Sequence, residues 1–234
     1  MTEHREWTHD GTGLAWLSAR LGRPEPGPGH LVSQLLPDGY QAYVRIFHRF
    51  ESLDGAVQGP SWREWAERSG VPFLPELSHR WLKDGLETQD EDGEVTTVRW
   101  VAEDGALDAA SRRALAGALE TVTGDQPVHY AWDLAAVTNG LDAPLLRTAP
   151  LAGLEAVRTE AAALVGDSGP EYWWPEDRTW VVCTDYDLLS TYVACDTPTA
   201  ALLLATPSLE TIQATPHTRV DWSTEPPHAE ARPH

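Results

Sequence analysis

Apolar residues recur along this chain with two different periods, and together they predict short helices interspersed with strands. Over 12–21, TGLAWLSARL, the leucines Leu14, Leu17 and Leu21 share one side of a helix. The prolines of RPEPGPG at 23–29 then break it into a loop, since proline neither continues a helix nor donates to a ladder. At 40–47, YQAYVRIF sets Tyr40, Ala42, Val44 and Ile46 on one face at period two, a strand signal. Ser61 heads WREWAERSG as an N-cap, Glu64 completes a capping box with it, and Gly70 ends the helix. A second helix is expected over 75–83 with Trp81 on it. The stretch from Asp84 to Glu94 has six carboxylates and no base, and reads as a solvated loop or hairpin tip; VTTVRWV at 95–101 reads as a strand.

The clearest helix is LDAASRRALAGALETVTG. Leu107, Leu115 and Leu119 form its apolar stripe, and Asp108 sits near the positive end of its dipole. Residues 127–133 predict a strand, 139–150 a loop and 151–165 a helix. TWVVCTD and YDLLSTYVACD then read as a β-hairpin joined near Asp187. Thr197 is expected to cap the helix PTAALLLAT, and a last strand falls near 208–213. No regular βαβ repetition runs through this order, so the fold class is α+β, a mixed or antiparallel sheet with packed helices. One domain of one or two lobes spans 12–222, between a flexible segment at 1–11 and a disordered tail at 223–234.

Composition changes this picture in one respect. A chain of 234 residues buries roughly 70–75% of its unfolded surface and needs no cross-links to hold a core. Its 36 acidic residues against 17 basic ones, however, give a formal charge of −19. Such a surface repels phosphate backbones and anionic lipid; no nucleic-acid or membrane partner is expected, whereas a basic protein partner would be attracted, with plain solubility as the alternative reading of the charge. No apolar run approaches the roughly 20 residues that cross a bilayer, and the start MTEHREWTHDGTG lacks an apolar leader core. Cytoplasmic residence is the expectation. Cys183 and Cys195 match neither a disulfide framework nor a zinc spacing.

The usual catalytic patterns are incomplete. GTGLAW has Trp16 where a dinucleotide fingerprint needs its third glycine, and the single lysine, Lys83, follows no phosphate-binding loop. Ser168 in GDSGP is not a nucleophile elbow. Cys183 lies in an apolar strand, where burial suppresses thiolate formation. The nine histidines include no HxH or HExxH. Asp185-Tyr186-Asp187 follows a strand as phosphotransferase aspartates do, but no lysine follows it. No catalytic residue, metal or cofactor is therefore assigned.

What remains is a candidate binding surface. Trp173 and Trp174 are adjacent in an extended segment and point to opposite sides, so that one can be buried while its neighbour is at least partly exposed; the alternative is that both lie under the loop 139–150. Trp and Arg dominate binding hot spots, which makes Trp173, Trp174, Asp177 and Arg178, with Asp185 and Asp187, the binding residues expected here.

The run WWPEDRTWVVCTDYDLLSTYV resembles a segment of an uncharacterised actinobacterial family with the pattern WWPxDRxWxVxTxxDxxSTxVGG. Its positions fall on Trp173, Trp174, Pro175, Asp177, Arg178, Trp180, Val182, Thr184, Asp187, Ser190, Thr191 and Val193. Ala194 and Cys195 stand where that family has two glycines. LPDGYQAYVRIFH at 36–48, WREWAERSG and the 107–122 helix match it more loosely; the resemblance brings no activity with it. The chain is more remotely similar to SUKH-type immunity proteins, acidic α+β domains, which implies an immunity-like binding role. Two readings follow. The first is a non-catalytic acidic protein that engages a partner protein. The alternative is an enzyme of unrecognised type that brings Asp185 and Asp187 together with Arg178 and His48.

Overall fold

The computed structural model describes residues 7–9, 11–22, 30–52, 57–82 and 100–220, and the backbone alone of 88–89 and 95–96. The loop expected at 23–29, the six carboxylates of the 84–94 stretch, the tail at 223–234 and most of the 1–11 segment lie outside these residues.

Helix α1 (Ala15–Ser18) follows a 3-10 turn, and α2 (Val32–Leu35) precedes strand β1 (Ala42–Phe47). Then come β2 (Phe50–Ser52), α3 (Trp62–Ser69), β3 (Thr88–Gln89), β4 (Val95–Thr96), β5 (Trp100–Ala102) and α4 (Ala109–Thr123). The second half runs β6 (Val128–Trp132), α5 (Leu134–Thr138), β7 (Leu145–Ala149) and α6 (Leu154–Val165). It ends with β8 (Tyr172–Pro175), β9 (Val181–Cys183), β10 (Ser190–Cys195), α7 (Thr197–Leu204) and β11 (Thr211–Ala214). Seven strands form one sheet in the order β11-β1-β10-β9-β8-β6-β7, and each neighbouring pair is antiparallel. The α+β class is what the chain adopts.

Both faces of this sheet are covered. On one, Val44, Tyr130, Trp173, Val182 and Val193 pack under Leu115 and Leu119 of α4, Leu154 and Val157 of α6, and Leu203 of α7. On the other, Tyr43, Trp174, Val181, Tyr192 and Ala194 meet Leu14, Leu17, Val32 and Leu35. All six residues of β1 are buried, because alternation here selects a face of the core and not core against water. A third cluster beyond the end of β1 joins Phe47 and Phe50 to Trp62, Trp65 and Trp81 around α3 and the small β2–β5 pair.

Several local expectations are corrected. Of the 75–83 stretch, the described residues 75–82 form only a 3-10 turn at His79–Trp81, with Pro75 ahead of it. The 139–150 loop contains β7, the edge strand beside β6. Asp196, not Thr197, caps α7, its carboxylate accepting from the Thr199 N–H at 2.8 Å. Ser61 and Glu64 do form the capping box of α3, and Gly70 ends it at φ 67. Among the described residues no helix is long and apolar enough to cross a membrane.

Candidate functional site

Trp173 and Trp174, the candidate surface pair, are both internal. Trp173 is 3% exposed and Trp174 is 2% exposed, since each points into a different covered face of the sheet. Trp174 stacks on His129 at 5.5 Å and meets Trp16 edge-on at 5.6 Å. The Arg178 guanidinium lies over that same Trp16 ring at 4.4 Å, and the Tyr40 hydroxyl donates to the Arg178 carbonyl at 2.7 Å. Asp177 shapes the β8–β9 turn by accepting from the Thr179 N–H and hydroxyl and from Gln126. Arg178 holds φ 57, the one non-glycine with positive φ among the described residues. These four residues build and cover a turn.

Asp185 and Asp187 belong to a different place. Asp177 and Arg178 precede β9 while Asp185 and Asp187 follow it, so the two pairs lie at opposite ends of that strand. The grouping of Asp185, Asp187 and Arg178 as one catalytic set is therefore not assembled. His48 does not complete it either. It is 1% exposed and bonded to the Glu103 carbonyl at 2.7 Å and to Thr191 at 3.0 Å.

At the Asp185 end, the β9–β10 turn carries Asp185, Tyr186 and Asp187 outward while Leu188 turns back into the core. Gly105 makes the close packing of this turn possible. Its N–H donates to the Leu188 carbonyl at 3.0 Å, its φ is 69, and a Cβ there would lie 2.7 Å from the Tyr186 Cα. The Asp187 N–H reaches the Asp185 carboxylate at 3.4 Å. Burial first, then the adjoining Asp187 carboxylate and Glu171, push Asp185 up to about 7. Tyr186 stands 58% exposed between these carboxylates. The turn rims an open groove of about 320 Å³ whose other walls are His30, Leu35, Leu188 and Val220.

A smaller cavity of about 40 Å³ adjoins the groove, with Asp187, Leu188 and Val220 common to the linings of both. Arg45, 4% exposed, lines the cavity in company with Glu76, Ser78 and His79. Arg45 Nε donates to Ser190 Oγ at 2.8 Å and Nη1 to the Pro75 carbonyl at 2.6 Å, both neutral acceptors. Sequence reasoning missed Arg45 because it occupies a core position of a strand, where nothing in the local pattern marks a charge as functional.

Chemically, this end of the sheet offers charge and hydrogen bonds and little else. Cys183 and Cys195 are buried free thiols, and desolvation pushes both upward in pKa, away from thiolate. Among the described residues no three His, Cys, Asp or Glu side chains converge as a metal site would require. The fold and site define an antiparallel α+β protein with an acidic, aromatic-tipped groove. No protein-family model, curated protein or solved structure matches the chain.

Proposed function

We propose that this is a non-catalytic binding protein that engages a basic segment of a partner protein in the groove at the β9–β10 turn, as an immunity-like protein of the cytoplasm would. The observation that carries the reading is Tyr186, 58% exposed and flanked by Asp185 and Asp187 on the rim of a groove of about 320 Å³. An exposed aromatic beside carboxylates suits a cationic side chain, which stacks on the ring and pairs with the acids. The formal charge of −19 adds long-range attraction for such a partner and repulsion for nucleic acid.

The test is capture of partners from lysate by the immobilised protein, run beside Tyr186→Ala and Asp187→Asn. Retention of a basic partner that falls about tenfold or more with either variant, and falls with added salt, is the expected outcome. An identical set of captured proteins on all three surfaces would remove the groove from the function.

A further inference from the structure

Arg45 poses a problem that the binding reading leaves unanswered. Its guanidinium is charged at any accessible pH and almost wholly removed from water. Burying such a charge is costly unless a counter-ion accompanies it. Yet no carboxylate among the described residues comes within ion-pair distance of it, and Glu76, which lines the same cavity, acts on it only across a longer gap. Stacking over Phe47 at 4.2 Å offsets part of that cost. Nη2 makes no hydrogen bond among the described residues, and the guanidinium borders the cavity of about 40 Å³. By that measure a single water needs about 10–15 Å³, so the space is large enough for a carboxylate group and too small for a bulky one.

The neighbours narrow the class of ligand. Glu76 and Asp187 line the same cavity, which penalises a multiply charged anion such as phosphate. A monoanion that carries its own positive charge escapes that penalty, provided its cation reaches the Asp187 and Asp185 side of the groove. Leu35, Leu188 and Val220 between them give an apolar wall, which suits the aliphatic stem of a long basic side chain.

Building on the binding reading above, we propose that the segment bound here is the C-terminus of the partner, ending in arginine or lysine. Its α-carboxylate takes the open edge of Arg45, and its side-chain cation takes Asp187 and Asp185. The buried guanidinium is then the counter-ion that recognises a chain end, and an internal basic residue satisfies only half of the site.

Fluorescence anisotropy with short labelled Gly-Ser peptides tests this on the full chain. One peptide ends in arginine with a free carboxylate, a second is its C-terminal amide, and a third ends in serine with a free carboxylate. The free arginine acid should bind about tenfold or more tighter than either of the others. Glu76→Gln, which removes the opposing charge at the half-buried rim, should tighten the acid and leave the amide unchanged, an effect that a merely structural Arg45 would not produce. Equal binding of arginine acid and amide, both weakened by Asp187→Asn, overturns the chain-end inference and leaves the basic-partner reading standing. Failure of every arginine peptide to bind overturns the inference and counts against that reading as well.

Discussion

His48 gives the sharpest test of how this core is wired. The Glu103 carbonyl can only accept, so Nδ1 carries the ring proton and Nε2 accepts from the Thr191 hydroxyl. Thr191 has then spent its one proton, and the 2.8 Å contact between Thr184 and Thr191 must be donated by Thr184. The chain of donors is fully determined, and it requires a neutral imidazole. Protonation would place a charge in a site 1% exposed, near the Arg45 cation, and would force the Thr191 hydroxyl to turn its proton away from the ring. Burial above all, assisted by Arg45 and opposed by the Glu103 bond, pulls the His48 pKa down from 6.5 to about 4.

A histidine held neutral in the native state but free to protonate when unfolded makes the unfolded chain bind more protons between pH 4 and pH 6.5. Stability due to His48 is therefore fully present above pH 6.5 and is lost as the pH falls towards 4. At about 1.36 kcal/mol for each tenfold change in proton affinity, the loss is about 3 kcal/mol. Asp185 acts in the opposite sense. Its native pKa near 7, against an ordinary 3.8, makes the native state gain stability as the pH falls through that window. The wild-type curve alone thus mixes two linkages, and His48→Gln separates them. Urea unfolding followed by tryptophan fluorescence, on both proteins across the window, should show their stability difference shrinking by about 3 kcal/mol from neutral to acid pH. Parallel curves would mean that His48 is not a buried neutral acceptor, and the assigned hydrogen-bond directions would fall with it.

Two further substitutions test the framework of the site. The Glu171 carboxylate accepts the N–H groups of Asp133, Leu134 and Ala135 at 2.8, 2.8 and 2.7 Å, so Glu171→Gln should cost about 2–3 kcal/mol in urea unfolding; a loss below about 0.5 kcal/mol would show that α5 starts without it. Gly105→Ala would meet the Tyr186 backbone at 2.7 Å with φ 69, and should lower stability by about 2 kcal/mol or more and weaken arginine-peptide binding; an unchanged thermal midpoint would show that the β9–β10 turn does not depend on that contact.

What could be read from the chain alone was local. The Ser61–Glu64 capping box, the Gly70 terminus, Asp108 at the start of α4 and the β9–β10 hairpin are each written within a few neighbouring residues, and each is present. The long-range equivalents were invisible. Glu210 accepts from the Trp62 and Arg63 N–H groups across nearly 150 positions, and Glu171 caps α5 from the far side of β7 and α6. The adjacent tryptophans show why pattern misled about the site. Their opposite orientation follows from strand geometry, but exposure depends on whether both faces of the sheet are covered, which only the packing of α1, α2, α4, α6 and α7 decides. Asp185 and Asp187 were legible as a strand-end pair. Arg45, whose neighbours in space come from residues 75–79 and 187–190, was not.

The acidity of the chain also divides into parts with different physical work. Glu64, Asp108, Glu171, Asp196 and Glu210 bond to backbone N–H groups at the starts of helices, where the dipole favours a negative charge. Glu155 and Glu160 pair with Arg112, Arg158 and Arg147. Charges spent in this way attract a partner weakly, because each is already matched nearby. Asp185 and Asp187 have no such match among the described residues, and the burial that raises the Asp185 pKa favours its neutral form. A cation entering the groove favours the ionised form and drives that proton out. The site is therefore less negative when empty than a count of its carboxylates suggests, and it acquires its full charge on meeting a basic group. That difference between the empty and the occupied groove is a discrimination in favour of cations which a pair of fully ionised surface carboxylates, screened by salt, would not provide.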